Sequence, residues 1–385
     1  MFDIGVTFSA EQRFGEPQSC CPATGGAVCF AAMKQTLKFG GALFCALALS
    51  VGSVGAAKKS GGVAKASAAM ASAANKFLTS LDAKQIAKAA YELKTDQRFK
   101  WHFIPTEMIK GGRTGLPMTE MNAQQKKAAL GLVRSAMSNT GFQKAKDIMM
   151  LEGILRENEK NGRFDRNPIW YFVSIFGKPS AKGTWAWRFE GHHLSLAFTI
   201  VEGKVVVSTP SFMGSNPAKV LSGKRKGLRV LGPEEDLARD LAISLSDEQR
   251  KLGVIAGKAP RDILTSANRD AKMLKPKGVP FRNLGKEQKD LLRKLVSEYV
   301  GRNRAELAKA DLSKIQAAGW NNVHFAWAGG FEMGRGHYYR VQGPSFIMEY
   351  ANTQNKAYHV HATWREFDGD YGEDVLAKHF ANDHN

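Results

Sequence analysis

Trp185-Ala-Trp-Arg-Phe-Glu-Gly191-His-His-Leu-Ser-Leu-Ala-Phe198 recurs, 152 positions on, as His337-Tyr-Tyr-Arg-Val-Gln-Gly343-Pro-Ser-Phe-Ile-Met-Glu-Tyr350. Arg188 falls on Arg340, Gly191 on Gly343, Gly177 on Gly329 and Lys204 on Lys356, while Trp187/Tyr339, Glu190/Gln342, Phe198/Tyr350 and Phe212/Trp364 stay alike in kind. The match runs from Val173 to Phe212 without a gap. A repeated scaffold with different polar side chains in each copy means that packing was kept while function was added asymmetrically. The unmatched histidines are therefore where chemistry is to be sought.

Around both copies the chain alternates helical and strand-like blocks. Leu81, Ile86, Ala90 and Leu93 mark a first helix, Leu130, Val133 and Met137 a second, and Phe142, Ile148, Leu151 and Leu155 a third, each with its apolar groups on one face. Short aromatic and β-branched runs follow at 169–175, 184–189, 194–200 and 204–209, with Glu202-Gly203 as a hairpin turn. Helices return at 233–245, where Pro233 suits a first turn, from Ser246, whose spacing to Gln249 is that of a capping box, and over 286–300 and 303–317. A second strand set lies at 322–328, 336–341, 346–350 and 358–364, and Asp370-Tyr-Gly-Glu373 reads as a cap opening a last helix. The order predicts an α+β, internally duplicated, two-lobed protein. Each half, 77–230 and 231–385, is a helical segment followed by a mostly antiparallel sheet, related by a pseudo-two-fold axis. Either one shared sheet or two packed sheets would bury both apolar faces.

The N-terminal part reads differently. Met33-Lys-Gln-Thr-Leu-Lys38 and the apolar run Phe39 to Val51, followed by the small residues Val54-Gly55-Ala56-Ala57, have the layout of a signal peptide over 33–57. Residues 1–32 are then an upstream extension foreign to the mature protein, and 58–76, rich in Ala, Ser, Gly and Lys, a flexible leader or poorly ordered helix. No later run approaches a membrane span, so a periplasmic or secreted protein is expected. Cys20, Cys21, Cys29 and Cys45 all precede the cleavage site, which excludes disulfides, thiolate nucleophiles and sulfur-ligated metals from the mature chain. The net charge of +19 favours anionic envelope polymers or acidic substrates. The densest basic cluster, Lys219 to Arg229, holds no aromatic residue to stack on bases, so no nucleic-acid partner is expected, and no obligate protein partner is implied.

His359 and His361 sit at i and i+2 on a predicted strand, on one face and roughly 6.5–7 Å apart along it, a spacing at which two imidazoles converge on one ion at about 2.1 Å each. In the other copy they fall on Val207 and Thr209, while His192 and His193 fall on Pro344 and Ser345, so one composite site fits better than two equal ones. His192 is assigned as a third ligand and His193 as a general base, although adjacent strand residues face opposite ways. Glu349, ten residues before His359, is a fourth ligand or base, with a salt bridge to Arg340 as the plain alternative. Arg365 and its neighbour Trp364 are assigned to an anionic substrate. Gly-x-Ser-x-Gly, Walker, His-Glu-x-x-His and EF-hand motifs are all missing.

Five ordered motifs carry a resemblance. Trp187-Arg-Phe-Glu-Gly-His-His-Leu-Ser-Leu, Thr209-Pro-Ser-Phe-Met-Gly214, Tyr339-Arg-Val-Gln-Gly-Pro-Ser with Glu349-Tyr350, His359-Val-His-x-x-Trp-Arg365 and Asp370-Tyr-Gly-x-Asp374 together resemble the DUF3500 family of bacterial and fungal proteins. The resemblance spans about Lys94 to His379 and implies membership without a substrate, cofactor or catalytic residue. From the residues themselves, the expected function is an exported metal-dependent enzyme, hydrolytic with zinc, or an oxidoreductase with copper or iron. Zinc is preferred because it needs no redox partner in the envelope. The alternative is a non-catalytic envelope protein that binds an anionic polymer or glycan through its basic surface, its histidines merely structural.

Overall fold

The computed structural model describes residues 54–160 and 162–382, which lie in one compact unit. The expected extension at 1–32 and most of the expected signal peptide fall outside those residues. Helix α1 (Val54–Leu78) is followed by α2 (Ala83–Ala89), α3 (Ala123–Ala136), α4 (Asn139–Glu159), α5 (Gly232–Ile243), α6 (Asp247–Gly253), α7 (Lys286–Val300), α8 (Ala305–Ala318) and α9 (Glu373–Asn382). The strands are β1 (Ala90–Tyr91), β2 (Leu116–Pro117), β3 (Phe172–Phe176), β4 (Trp185–Gly191), β5 (Leu194–Val201), β6 (Val205–Val207), β7 (Ser211–Ser215), β8 (Val254–Ala256), β9 (Val279–Pro280), β10 (His324–Gly329), β11 (His337–Gln342), β12 (Phe346–Gln354) and β13 (His359–Glu366).

All belong to one 13-stranded mixed sheet of order β1-β3-β4-β5-β7-β13-β12-β11-β10-β8, with β2, β6 and β9 paired off that path. The protein is therefore α+β. The parallel pairs are β1 with β3 and β8 with β10, at the two ends of the path, and the remaining pairs are antiparallel. The shared sheet, of the two arrangements expected, is the one formed: β7 lies directly against β13, with Ser211 opposite Trp364 and Gly214 opposite His361.

Strand alternation sorts the side chains by face. Trp185, Trp187, Phe189, Leu196, Phe198, Tyr339, Met348, Tyr350, Ala362 and Trp364 join the main core with the buried sides of the helices. The opposite face carries Phe212, Tyr338 and Ala351, packed with Trp101, Phe103 and Ile263 from two long irregular stretches. It also carries the buried polar residues Arg188, Glu190, Arg340, Glu349, His361, Thr363 and Arg365. Burying that many polar groups requires partners, and the irregular stretches supply them as free backbone groups.

Several local readings hold. Ser246 and Gln249 form the expected capping box of α6, and Pro233 sits in the first turn of α5. Others need correction. Residues 58–76 lie within α1 instead of a flexible leader, with Ala66, Met70, Ala74 and Phe77 buried along one side. An alanine stripe carries little hydrophobic signal yet lets a helix approach its neighbour closely. The first predicted helix ends early, because Ala90 and Tyr91 pair with Ile175 and Phe176 in β1. Asp370 makes no cap. Its carboxylate accepts from Arg365 Nε and, at 2.9 Å, from the Glu366 amide, and Tyr371 has φ 60°.

Where β13 ends, Glu366 and Asp311 of α8 flank Lys314 at 3.7 and 3.5 Å. Burial, opposed by Lys314, pushes Glu366 up to about 7 and Asp311 up to about 6. Both folded values lie above the unfolded ones, so the fold binds extra protons. The stability these groups contribute is full below the unfolded pKa and is lost as pH rises through about 6 to 7. Glu366→Gln should accordingly flatten the fall in melting temperature between about pH 5 and pH 8. A melting-temperature profile as steep as that of the parent chain would refute this assignment.

A three-histidine candidate metal centre

Two strands and one turn deliver the imidazoles. His359 and His361 project from β13 on its polar face, as their i, i+2 spacing predicts. Gly191 pairs with Leu194, so His192 and His193 form the two-residue turn between β4 and β5. His193 takes the left-handed conformation that such turns demand, at φ 60°. The turn also overrides strand alternation: the two rings lie together, centroids 3.7 Å apart and 29° from coplanar.

The turn is held at both ends. His193 donates its amide to Phe103 O and its carbonyl accepts from Gly214 N, while Tyr171 Oη donates to His192 O. Gly214 must be glycine on steric grounds, because a Cβ there would come within 2.8 Å of the His193 ring and 3.0 Å of Val360 O. Since Gly214 is also the β7 partner of His361, this one missing side chain lets His193 close onto β13.

The three Nε2 atoms consequently converge. His193 Nε2 lies 2.6 Å from His359 Nε2, which lies 3.0 Å from His361 Nε2. On its other side His361 Nδ1 is 2.6 Å from Asp262 Oδ1, which fixes the proton on Nδ1 and turns the Nε2 lone pair toward the cluster. Phe103 and Phe212 wall the centre, each with its ring 5.0–5.3 Å from that of His361. Solvent approaches past Asp262, whose side chain is one-third exposed, and the partly exposed His359.

Electrostatics keeps the His193 and His359 rings neutral. Burial, reinforced by the neighbouring imidazoles, holds His193 well below the usual histidine range and brings His359 down to about 3. Burial also opposes ionisation of Asp262, but the hydrogen bond and charge of His361 hold its carboxyl below its ordinary value. Three convergent nitrogen donors with an oriented outer carboxylate suit a borderline divalent ion. The cluster is one of two groups among the described residues whose donor atoms lie within 4.8 Å of one another.

The other assigned residues separate. His193, expected as a base, belongs to the triad. His192, expected as a ligand to it, instead has Nδ1 2.6 Å from Glu152 Oε1 on α4, with Arg166 Nη1 at 3.3 Å. Glu349 shares the sheet face of His361 but stands opposite Thr363. Its carboxylate accepts from Leu264 N at 2.6 Å, Thr265 N at 3.0 Å and Tyr338 Oη at 2.8 Å, and from Thr265 Oγ1. It thereby anchors the loop that carries Asp262. Arg365 is fully buried, binding Asp370 and the carbonyls of Asn268 and Arg269, and Trp364 faces the opposite side of the sheet in the main core. Neither reaches the imidazoles.

Sequence reasoning missed Asp262 and Glu152. Asp262 lies in an irregular stretch without periodicity. Glu152 left a signal, since it sits among Ile148, Leu151 and Leu155 on the apolar side of α4, where an acid needs a partner.

The model of one protein family, described as a protein of unknown function (DUF3500), matches residues 64–373. The chain belongs to the DUF3500 family. That span takes in every residue of the centre, from Glu152 through His193 and Asp262 to His361. No curated protein and no solved structure matches the chain. The function of this DUF3500 chain has therefore to be argued from the centre itself.

Proposed function

We propose that the chain is an exported metal-dependent enzyme, hydrolytic and zinc-using, acting on a small or anionic envelope substrate. The observation that carries this reading is the meeting of His193, His359 and His361 Nε2 atoms at 2.6 and 3.0 Å, with Asp262 behind His361. Three protein donors leave a position open on a tetrahedral ion, the pattern of catalytic and not of structural zinc. Zinc bound there would supply Lewis acidity for hydrolysis. The chain's own part is to present convergent imidazoles, to fix the His361 tautomer through Asp262 and to exclude bulk water with Phe103 and Phe212. Iron would fit the same donors less well, since a carboxylate is absent from the triad itself, while copper suits imidazole donors but would need a redox partner. A net charge of +19 favours an anionic substrate.

We further propose that the two halves arose by duplication and are related by a pseudo-two-fold axis between β7 and β13. Paired registers support this. Phe172 opposite Glu190 and Trp185 opposite Ile200 are matched, 152 positions on, by His324 opposite Gln342 and His337 opposite Asn352. The gapless match slips at the last strand: Thr199 faces Val207, whereas its counterpart Ala351 faces His361. His361 thus occupies the place of Val207, not of Thr209.

Tag-free protein, purified without chelator, should carry zinc at the triad, and His359→Ala should lose that ion while keeping its circular dichroism. A folded parent chain that holds no transition metal after dialysis against zinc would overturn the reading.

A further inference from the structure

The second group of donors is Glu152, His192 and His193, the first and last buried and His192 with its side chain 11% exposed, all within the same 4.8 Å limit as the triad. We propose that it is a second divalent-cation site, so that the centre holds two ions with His193 lying between them. This rests on the triad being a metal site.

Three observations carry it. First, the turn stacks the two rings of the vicinal pair, so that both histidines stand on one side of the β4–β5 hairpin beside the triad. Adjacent residues in a strand would have been split across the sheet. Tyr171 fixes the turn through His192 O, which orients a ring that has no structural task at the centre of the triad.

Second, α4 brings Glu152 to His192 from its buried side, among Ile148, Leu151 and Leu155, with its side chain 4% exposed. A buried carboxylate is costly to keep unless it is paired or coordinates a cation. His192 Nδ1 at 2.6 Å is its one hydrogen-bond contact among the described residues, and that imidazole, itself held well below the usual histidine range by burial, offers no counter-charge. The guanidinium nearby is already taken. Arg166 gives Nε and Nη2 to Glu159 at 2.8 and 3.0 Å and reaches His192 only with Nη1, at 3.3 Å. Arg166 and Glu159 pair with each other, so no cation among the described residues is committed to Glu152, whose carboxyl burial pushes up to about 8.

Third, the donor set differs from that of the triad. The Glu152 carboxylate, the His192 imidazole and the second ring nitrogen of His193, which would have to release its proton to solvent to bridge two ions, would form a mixed oxygen and nitrogen site, suited to zinc or manganese. Paired ions in hydrolytic centres hold both the attacking and the leaving oxygen of an in-line displacement. A second ion would thus specify the substrate class as an ester whose leaving oxygen needs a cation of its own, with an anionic group in keeping with the basic surface.

The test is metal stoichiometry, read without any substrate. Tag-free full-length chain is stripped, reloaded with zinc alone, desalted and analysed by mass spectrometry of the elements. The parent chain should hold about two ions, and Glu152→Gln about one, with His359 and His361 untouched. Loading with copper should give a broadened, spin-coupled resonance in the parent and an isolated copper spectrum in Glu152→Gln. If a variant fails to fold, judged by circular dichroism, His192→Asn serves in its place with the same expectation. One ion in both parent and variant overturns this proposal and leaves the triad standing. No ion in either overturns both.

Discussion

Glu234→Ala should destabilise the protein by about 3–5 kcal/mol, enough to unfold much of it near physiological temperature. Glu234, at the start of α5, is fully buried, with Oε1 2.6 Å from Lys144 Nζ of α4 and 2.8 Å from Arg302 Nη2 after α7. Burial alone would raise its pKa, but Arg302 and Lys144 hold it below the usual carboxylate value. Stability from this carboxylate is therefore present above the unfolded pKa and lost as pH falls through the lower folded one. Removing it does not affect its two partners equally. Lys144 keeps Glu298 at 2.6 Å. Arg302, 3% exposed, has no other carboxylate among the described residues, where its Nε and Nη1 are already without hydrogen-bond partners. Stacking on Tyr299, with Cζ 4.3 Å from the ring, cannot replace a counter-charge. Lys144→Met should therefore cost much less than Glu234→Ala, and Arg302→Met combined with Glu234→Ala should recover part of the loss. Urea unfolding of the four chains measures this. Equal losses from Lys144→Met and Glu234→Ala would sink the argument that Arg302 is the stranded charge.

The contrast between what was legible and what was not follows the range of the physics involved. Helices α7 and α8 lie within two residues of their predicted ends because caps and apolar periodicity are local. The strands β4, β5 and β10 to β13 were legible for the same reason, from aromatic and β-branched composition. The two- and three-residue strands β1, β2, β8 and β9 carry no pattern and exist only because a longer strand beside them offers free backbone groups. At the centre, the convergence of His359 with His361 was local geometry. That His193 and not His192 completes it depends on a turn conformation and on the bare Cα of Gly214. Glu349 was misjudged because a strand position gives the face and not the partner, and the loop at 264–265 reaches it first.

His361→Ala should abolish tight zinc binding, whereas Asp262→Asn should weaken it only by about 10–100-fold while leaving the fold intact. The two residues act at different points of one chain of bonds. His361 donates the Nε2 lone pair, and nothing nearby can substitute, since Glu349 is committed to Leu264, Thr265 and Tyr338. Asp262 works through His361. With Asn in its place the amide oxygen still accepts from Nδ1, but the negative charge that raises the basicity of the ring is gone. With alanine the ring is also free to present the other tautomer, so Asp262→Ala should fall below Asp262→Asn. Glu349→Gln should then behave as a weaker copy of Asp262→Asn. Its amide must meet donors at Leu264 N and Thr265 N with one NH2 group, which loosens the loop that holds Asp262 in place. Competition of each variant with a zinc indicator dye gives the order directly: parent, Glu349→Gln, Asp262→Asn, Asp262→Ala, His361→Ala. A ranking in which Asp262→Ala binds as tightly as the parent would mean that the carboxylate orients nothing, and the triad would have to hold its ion without it.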